Sequence, residues 1–115
     1  ALCAVAGAVY LSIIGRHGLV SIGRALMGRT QYLKSRFKAM GLHIPFSAEN
    51  FNEFVVCFNK SVAEINRRLL EKHIFGGVDI SHWFPELGNA ALYAVSELHT
   101  KDVLDYLCTA LKEVV

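Results

Sequence analysis

Charge is scarce in this sequence. Asp, Glu, Lys and Arg make up 19% of its 115 residues, against about 25% in a typical soluble domain. Neither sign predominates: the formal net charge is +2, with acidic residues spread among basic ones, so no electrostatic footprint for a nucleic acid is present. Cysteine is also sparse. Cys3, Cys57 and Cys108 are odd in number and far apart, which excludes a disulfide framework and suits a reducing, cytoplasmic compartment; they read as buried or neutral thiols. No internal repeat and no low-complexity tract occurs, so solenoids and disordered arrays are excluded as well.

What the chain has in quantity is apolar surface. Hydrophobic residues account for 53%, including seven Phe and four Tyr, enough to offset the entropy of ordering one compact domain. The chain is short for an enzyme with a separate cofactor domain. Its first fifteen residues, ALCAVAGAVYLSIIG, resemble a signal-peptide core, but no basic stretch precedes them and a membrane span needs about 20 apolar residues. No membrane partner is expected. The stretch reads instead as the middle of a helix whose cover lies elsewhere, which would account for the apolar excess.

Periodicity predicts the elements. Residues 1–14 form a helix with small Ala1, Ala4, Ala8 and Ser12 in one row, apolar nearly all round and expected to be buried on most sides. Gly15-Arg16-His17-Gly18 breaks it. From Leu19 to about Met40 a second helix keeps Leu26, Leu33 and Phe37 on one stripe, and Gly41 stops it. His43–Phe46 is expected as a short edge strand because of Pro45. Phe54–Phe58 is a strand apolar on both faces, hence covered on both sides or packed on a neighbouring domain. Ser61 and Glu64 form a capping box for a helix carrying Val62, Ile65 and Leu69. Gly76-Gly77 supplies a positive-φ turn, residues 91–98 form a second strand, and Thr100 caps a last helix. The fold class is α+β, an α/β sandwich with helices packed on a small antiparallel or mixed sheet. Residues 1–40 would be helices leading in from a large domain outside the chain, and residues 41–115 the α/β domain.

Recognisable catalytic chemistry is thin. His73 and His82 straddle a glycine break without a second ligand pair, so no metal site is expected. Cys57 lies between Val56 and Phe58, where a thiol is usually a small buried hydrophobe. Gly76-Gly77 lacks the Gly-Lys-Ser/Thr of a phosphate loop. Asn52 and Glu53 open an apolar strand and could face solvent or a cleft, and His82-Trp83-Phe84 is an aromatic cluster suited to an interface. Asn52, Glu53, Gly76, Gly77, His82 and Phe84 are the candidate interface or cleft residues. No catalytic residue is assigned.

Several pieces, in order, carry a resemblance: Tyr10-Leu11, Gly15, Gly18-Leu19, Phe51-Asn52-Glu53-Phe54-Val55-Val56, Gly76-Gly77, Phe84-Pro85-Glu86-Leu87, Ala94-Val95-Ser96-Glu97 and Thr100-Lys101. Together they resemble the C-terminal part of glycine dehydrogenase (decarboxylating), the P-protein of the glycine cleavage system, in its subunit 1 form. The departures are Ser96, where that family would lead one to expect Thr, and His82-Trp83 ahead of the Phe-Pro pair. The resemblance implies the small C-terminal domain of the type I pyridoxal-phosphate fold. It also implies an enzyme that decarboxylates glycine and passes the aminomethyl group to the lipoyl arm of H-protein, with the Schiff-base lysine in subunit 2. None of Lys34, Lys38, Lys60, Lys72, Lys101 or Lys112 sits in a cofactor-lysine setting, so this chain is expected to be inactive alone and to bind no pyridoxal phosphate. The rival expectations are the small domain of another type I enzyme, such as an aminotransferase or cysteine desulfurase-like protein, and a stand-alone interaction module.

Overall fold

The alternation of Phe54, Val56 and Phe58 decides which face of the sheet is buried, because side chains of a strand point alternately to its two sides. A computed structural model describes all residues, Ala1 to Val115. Strand β1 (Glu53–Phe58) pairs with β3 (Asn89–Ala94), which pairs on its other edge with β2 (Val78–Asp79). Both pairings are antiparallel, so the open choice between an antiparallel and a mixed sheet falls to the former. The register sets Phe54 opposite Tyr93 and Val56 opposite Ala91.

Three helices cover that face: α1 (Leu2–Ala39), α2 (Val62–Leu70) and α3 (Lys101–Val114). Leu33 and Phe37 of α1, Ile65 and Leu69 of α2, and Leu104 and Leu111 of α3 close on the strands as one core. Phe37 is fully buried, with its ring edge-on to Tyr93 at 5.1 Å and to Phe54 at 5.8 Å, a favoured geometry for aromatic quadrupoles. On the opposite face Val55, Cys57 and Leu92 stay half-buried. Cys57 is therefore only partly covered, burial pushing its thiol up; Cys108 is buried and Cys3 exposed.

Several boundaries differ from those read in the sequence. The break expected over Gly15–Gly18 falls at Gly15 alone, whose non-helical φ of 60° and ψ of −177° kink α1 into two helical halves; Gly18 stays helical. Gly41 does stop α1, at φ 81°. The edge strand at His43–Phe46 shrinks to one bridge, His43 to Cys57, since Pro45 has no N–H to give a ladder. The second strand runs over 89–94 rather than 91–98, because Ser96 turns the chain: its carbonyl accepts from the His99 N–H and its Oγ from the Leu98 N–H. The capping box is not formed. Ser61 makes no side-chain cap, and Glu64 instead takes Arg68 one turn on, at 2.8 Å.

Residues 1–14 are not buried here. Leu2 and Ile13 are 83% and 80% exposed, because the sheet and the other helices lie beside the second half of α1, where Leu26 is its first buried residue. By length and composition alone, this apolar helix is able to cross a membrane.

Candidate functional site

The Gly76-Gly77 pair shapes an apolar cleft beside the sheet, through close approach rather than turn geometry. Neither glycine has positive φ; the left-handed residue is His73, at φ 58°. Just past α2, the His73 and Ile74 N–H groups bond back to Leu70 and Leu69 at 2.9 and 3.0 Å, and the chain then crosses Asn66 and Tyr93. A Cβ on Gly76 would lie 2.0 Å from Asn66 Oδ1, and one on Gly77 2.6 Å from the Tyr93 ring. Asn66 Nδ2 holds the crossing by donating to the Gly77 carbonyl at 2.8 Å.

Between this crossing, β3 and the first half of α3 lies a cleft of about 370 Å³. Its walls are apolar, with Ile74, Val78, Leu92, Val103 and Leu107 among them, and no Asp, Glu, Lys or Arg side chain lines it. The polar lining is two histidines and two tyrosines: His73, His99, Tyr93 and Tyr106. His99 Nδ1 accepts the Ser96 N–H at 3.0 Å, so the neutral ring carries its proton on Nε2. Tyr106 donates to the Lys72 carbonyl at 3.2 Å.

Tyr93 differs from these. The residue is 5% exposed and its Oη has no hydrogen-bond partner, a condition that costs about 1–3 kcal/mol for a buried hydroxyl. Burial pushes its pKa up to about 12; the adjacent Gly77 amide offsets this slightly without hydrogen-bond geometry.

The wall formed by α3 is tied to α1 by a polar cluster. Asp105 accepts from Tyr32 Oη and, at 2.5 Å, from Lys101 Nζ, with Arg36 Nε 3.9 Å away. The Lys101 and Tyr32 hydrogen bonds hold the Asp105 carboxyl below its ordinary value.

The six candidate residues divide between the two ends of β3. Gly76 and Gly77 line the cleft. Asn52 and Glu53 lie across β3 from it, Glu53 opposite Ala94 and the Asn52 carbonyl accepting from the Val95 N–H at 2.8 Å. His82 and Phe84 are exposed at the far end, beyond Ile80, whose N–H bonds the Ala90 carbonyl. Tyr93, His99 and Tyr106 escaped the sequence reading, which weighed His73 as a metal ligand and not for this cleft. The glycine doublet was the one signal pointing there, since His99 and Tyr106 approach it only through the placement of α3.

The cleft does not suit pyridoxal phosphate, having neither a cation for the phosphate nor an amine for a Schiff base. Four lysines are engaged elsewhere: Lys34 with Asn50 at 2.5 Å, Lys60 with the Val114 and Val115 carbonyls, Lys72 with Glu113 and Lys101 with Asp105.

No family model matches the chain. Curated relatives do, among them several probable glycine dehydrogenase (decarboxylating) subunit 1 proteins. The chain is 41% identical over 107 residues to that of Anoxybacillus flavithermus, covering 93% of itself and 24% of the relative. It is 44% identical over 105 residues to that of a Geobacillus species, covering 91% and 23%, and 41% identical over 115 residues to that of Pyrococcus horikoshii, covering 100% and 25%. Among solved structures, an inhibitor-bound glycine decarboxylase (P-protein) of the glycine cleavage system superimposes with a TM-score of 0.85 at 29% identity, over 95% of this chain and 25% of that one. An archaeal O-phosphoseryl-tRNA(Sec) selenium transferase matches with a TM-score of 0.68 at 12% identity, over 88% and 26%, a likeness of fold alone. The chain thus spans about a quarter of the length of its relatives.

Proposed function

Because this chain belongs, over its own length, to the family of glycine dehydrogenase (decarboxylating) subunit 1 and has the α+β architecture of a type I pyridoxal-phosphate enzyme's segment, we propose that it serves as the C-terminal small domain of such a subunit. The observation that carries this reading is the match along the whole chain to one quarter of each relative. In that role residues 1–40 lead in from the remaining three quarters, and residues 41–115 form the domain proper.

The whole enzyme would act on glycine, releasing carbon dioxide and handing the aminomethyl group to the lipoyl arm of H-protein. Pyridoxal phosphate supplies the electron sink for that chemistry when bound, on a lysine of subunit 2. This chain's part is to shape the interface around that site. Asn52, Glu53, Gly76 and Gly77 stand at one end of the sheet for this purpose, His82 and Phe84 at the other. The chain alone is inactive, and its compartment is the cytoplasm.

The exposed apolar surface of residues 1–14 fits this reading. Ala4, Ala8 and Ser12 let another backbone come close, and the relatives have ample additional chain to cover them. A bilayer is the less favoured cover, since Arg16 and His17 follow directly.

Replacement of the homologous quarter of the Pyrococcus horikoshii subunit by these 115 residues tests the proposal. With subunit 2 and lipoylated H-protein present, the chimaera should exchange labelled carbon dioxide into glycine, whereas the 115 residues alone should neither do so nor form an internal aldimine absorbance with pyridoxal phosphate. A well-folded chimaera without exchange, or an aldimine on the isolated chain, would overturn it.

A further inference from the structure

We propose that two adjoining cavities between the last turns of α1 and the 44–50 loop bind a phosphate group, either free or carried on a small apolar body. The site is independent of the decarboxylation reading.

Its starting point is Lys34. The residue is 7% exposed, yet its ammonium has a neutral partner, Asn50 Oδ1 at 2.5 Å, and no carboxylate oxygen within 4 Å. An ammonium has three protons to give, and here one is used within the chain. Buried charges are ordinarily paired, because the hydration lost on burial has to be replaced. Asn50 carries no charge to do this, and its own Nδ2 is committed to the Glu53 carbonyl at 2.7 Å. An anion supplies the missing counter-charge.

The surroundings of Lys34 are rich in donors. Gln31, Ser35 and Lys38 share its face of α1 at three- and four-residue spacing, and Ser47 to Glu49 close the other side of a polar cavity of about 200 Å³. The Gln31 amide, the Lys38 ammonium and the Ser47 hydroxyl have no partner within the chain, nor do the backbone N–H groups of Ser47, Ala48 and Glu49. Lysines and successive free amides are the groups that take phosphate oxygens. Helix α1 carries six Lys and Arg and no Asp or Glu, so the field along it favours an anion. Glu49, the one carboxylate of this cavity, is exposed and opposes that field. The second cavity, of about 330 Å³, shares Lys34, Ala48 and Glu49 with the first and has Ile44, Phe46 and Phe54 in its walls, which suits an apolar body. Glu53 in the same lining disfavours a second negative charge on that body.

Titration of the 115-residue chain with inorganic phosphate, at constant ionic strength against sodium chloride and read by calorimetry and amide NMR shifts, tests the proposal. Phosphate should saturate one site per chain at about millimolar concentration, with shifts confined to residues 31–38 and 44–53, while chloride does not saturate. Phenyl phosphate binding about tenfold tighter would assign the site to a phosphate ester with an apolar body, and equal affinity would assign it to the free anion. Lys34→Met keeps an apolar stem and removes the charge, so phosphate affinity should fall at least about tenfold. At exposed positions, Lys38→Gln should weaken phosphate about threefold and Glu49→Gln should tighten it about threefold. No saturation at tens of millimolar phosphate, shifts centred elsewhere in the chain, or unchanged affinity in Lys34→Met would each overturn the proposal. Should Lys34→Met not fold, unchanged affinity in both Lys38→Gln and Glu49→Gln would overturn it equally.

Discussion

Asp105 takes hydrogen bonds from Lys101 and Tyr32 and lies near Arg36, so its charged form is favoured in the folded state and its pKa is lowered. A group with a depressed folded pKa stabilises above its unfolded pKa, and the benefit fades as pH falls through the folded value. The thermal midpoint of the native chain should therefore exceed that of Asp105→Asn near neutrality, and the gap should close on acidification below the ordinary carboxylate range. A gap independent of pH would show that the aspartate acts by packing alone. At the same scale, the glycine doublet was legible in the sequence as unusual, but its reason was not. A turn and a close approach look alike in one dimension; only the 2.6 Å to Tyr93 and 2.0 Å to Asn66 separate them.

Among the elements, helix ends show how local patterns mislead when a stronger partner is near. Thr100 caps α3, its Oγ1 accepting from the Val103 N–H at 3.4 Å, as its sequence position suggests. Ser61 has the same type of position and no cap, the Glu64 carboxylate having turned to Arg68, an ion pair in place of a carboxylate-to-amide hydrogen bond. Thr100→Ala should cost about 0.5–1 kcal/mol and Ser61→Ala only a few tenths, read from urea denaturation midpoints at constant slope. Equal losses would mean that Ser61 caps α2 in solution. Element existence followed the apolar period well, as with Phe54–Phe58 and the stripe through Leu33 and Phe37. Strand β2, with two residues, had no period to read.

For the whole molecule, the core begins at Leu26, and nothing before it is buried. Deleting residues 1–14 should leave the circular dichroism spectrum of the sheet and of α2 and α3 in place, shift stability by less than about 1 kcal/mol, and reduce self-association on a sizing column. Lost folding on deletion would place that helix in this domain's own core. The exposed Leu2, Val5 and Ile13 are the apolar excess seen in the composition, now located on one projecting arm rather than spread through the chain.

The sequence by itself determined the α+β class, the long helix and its stop at Gly41, the inward face of β1 and the likeness to one family, because each rests on periodicity, glycine placement or an ordered set of short matches along the chain. Tertiary structure alone decided that the sheet is antiparallel with β3 at its centre, that Asn52 and Glu53 lie across β3 from Gly76 and Gly77, and that Tyr93, His99 and Tyr106 share one cleft. Those residues come from different elements and meet only when α3 packs on α1 and α2. No spacing along a chain encodes a contact that packing creates.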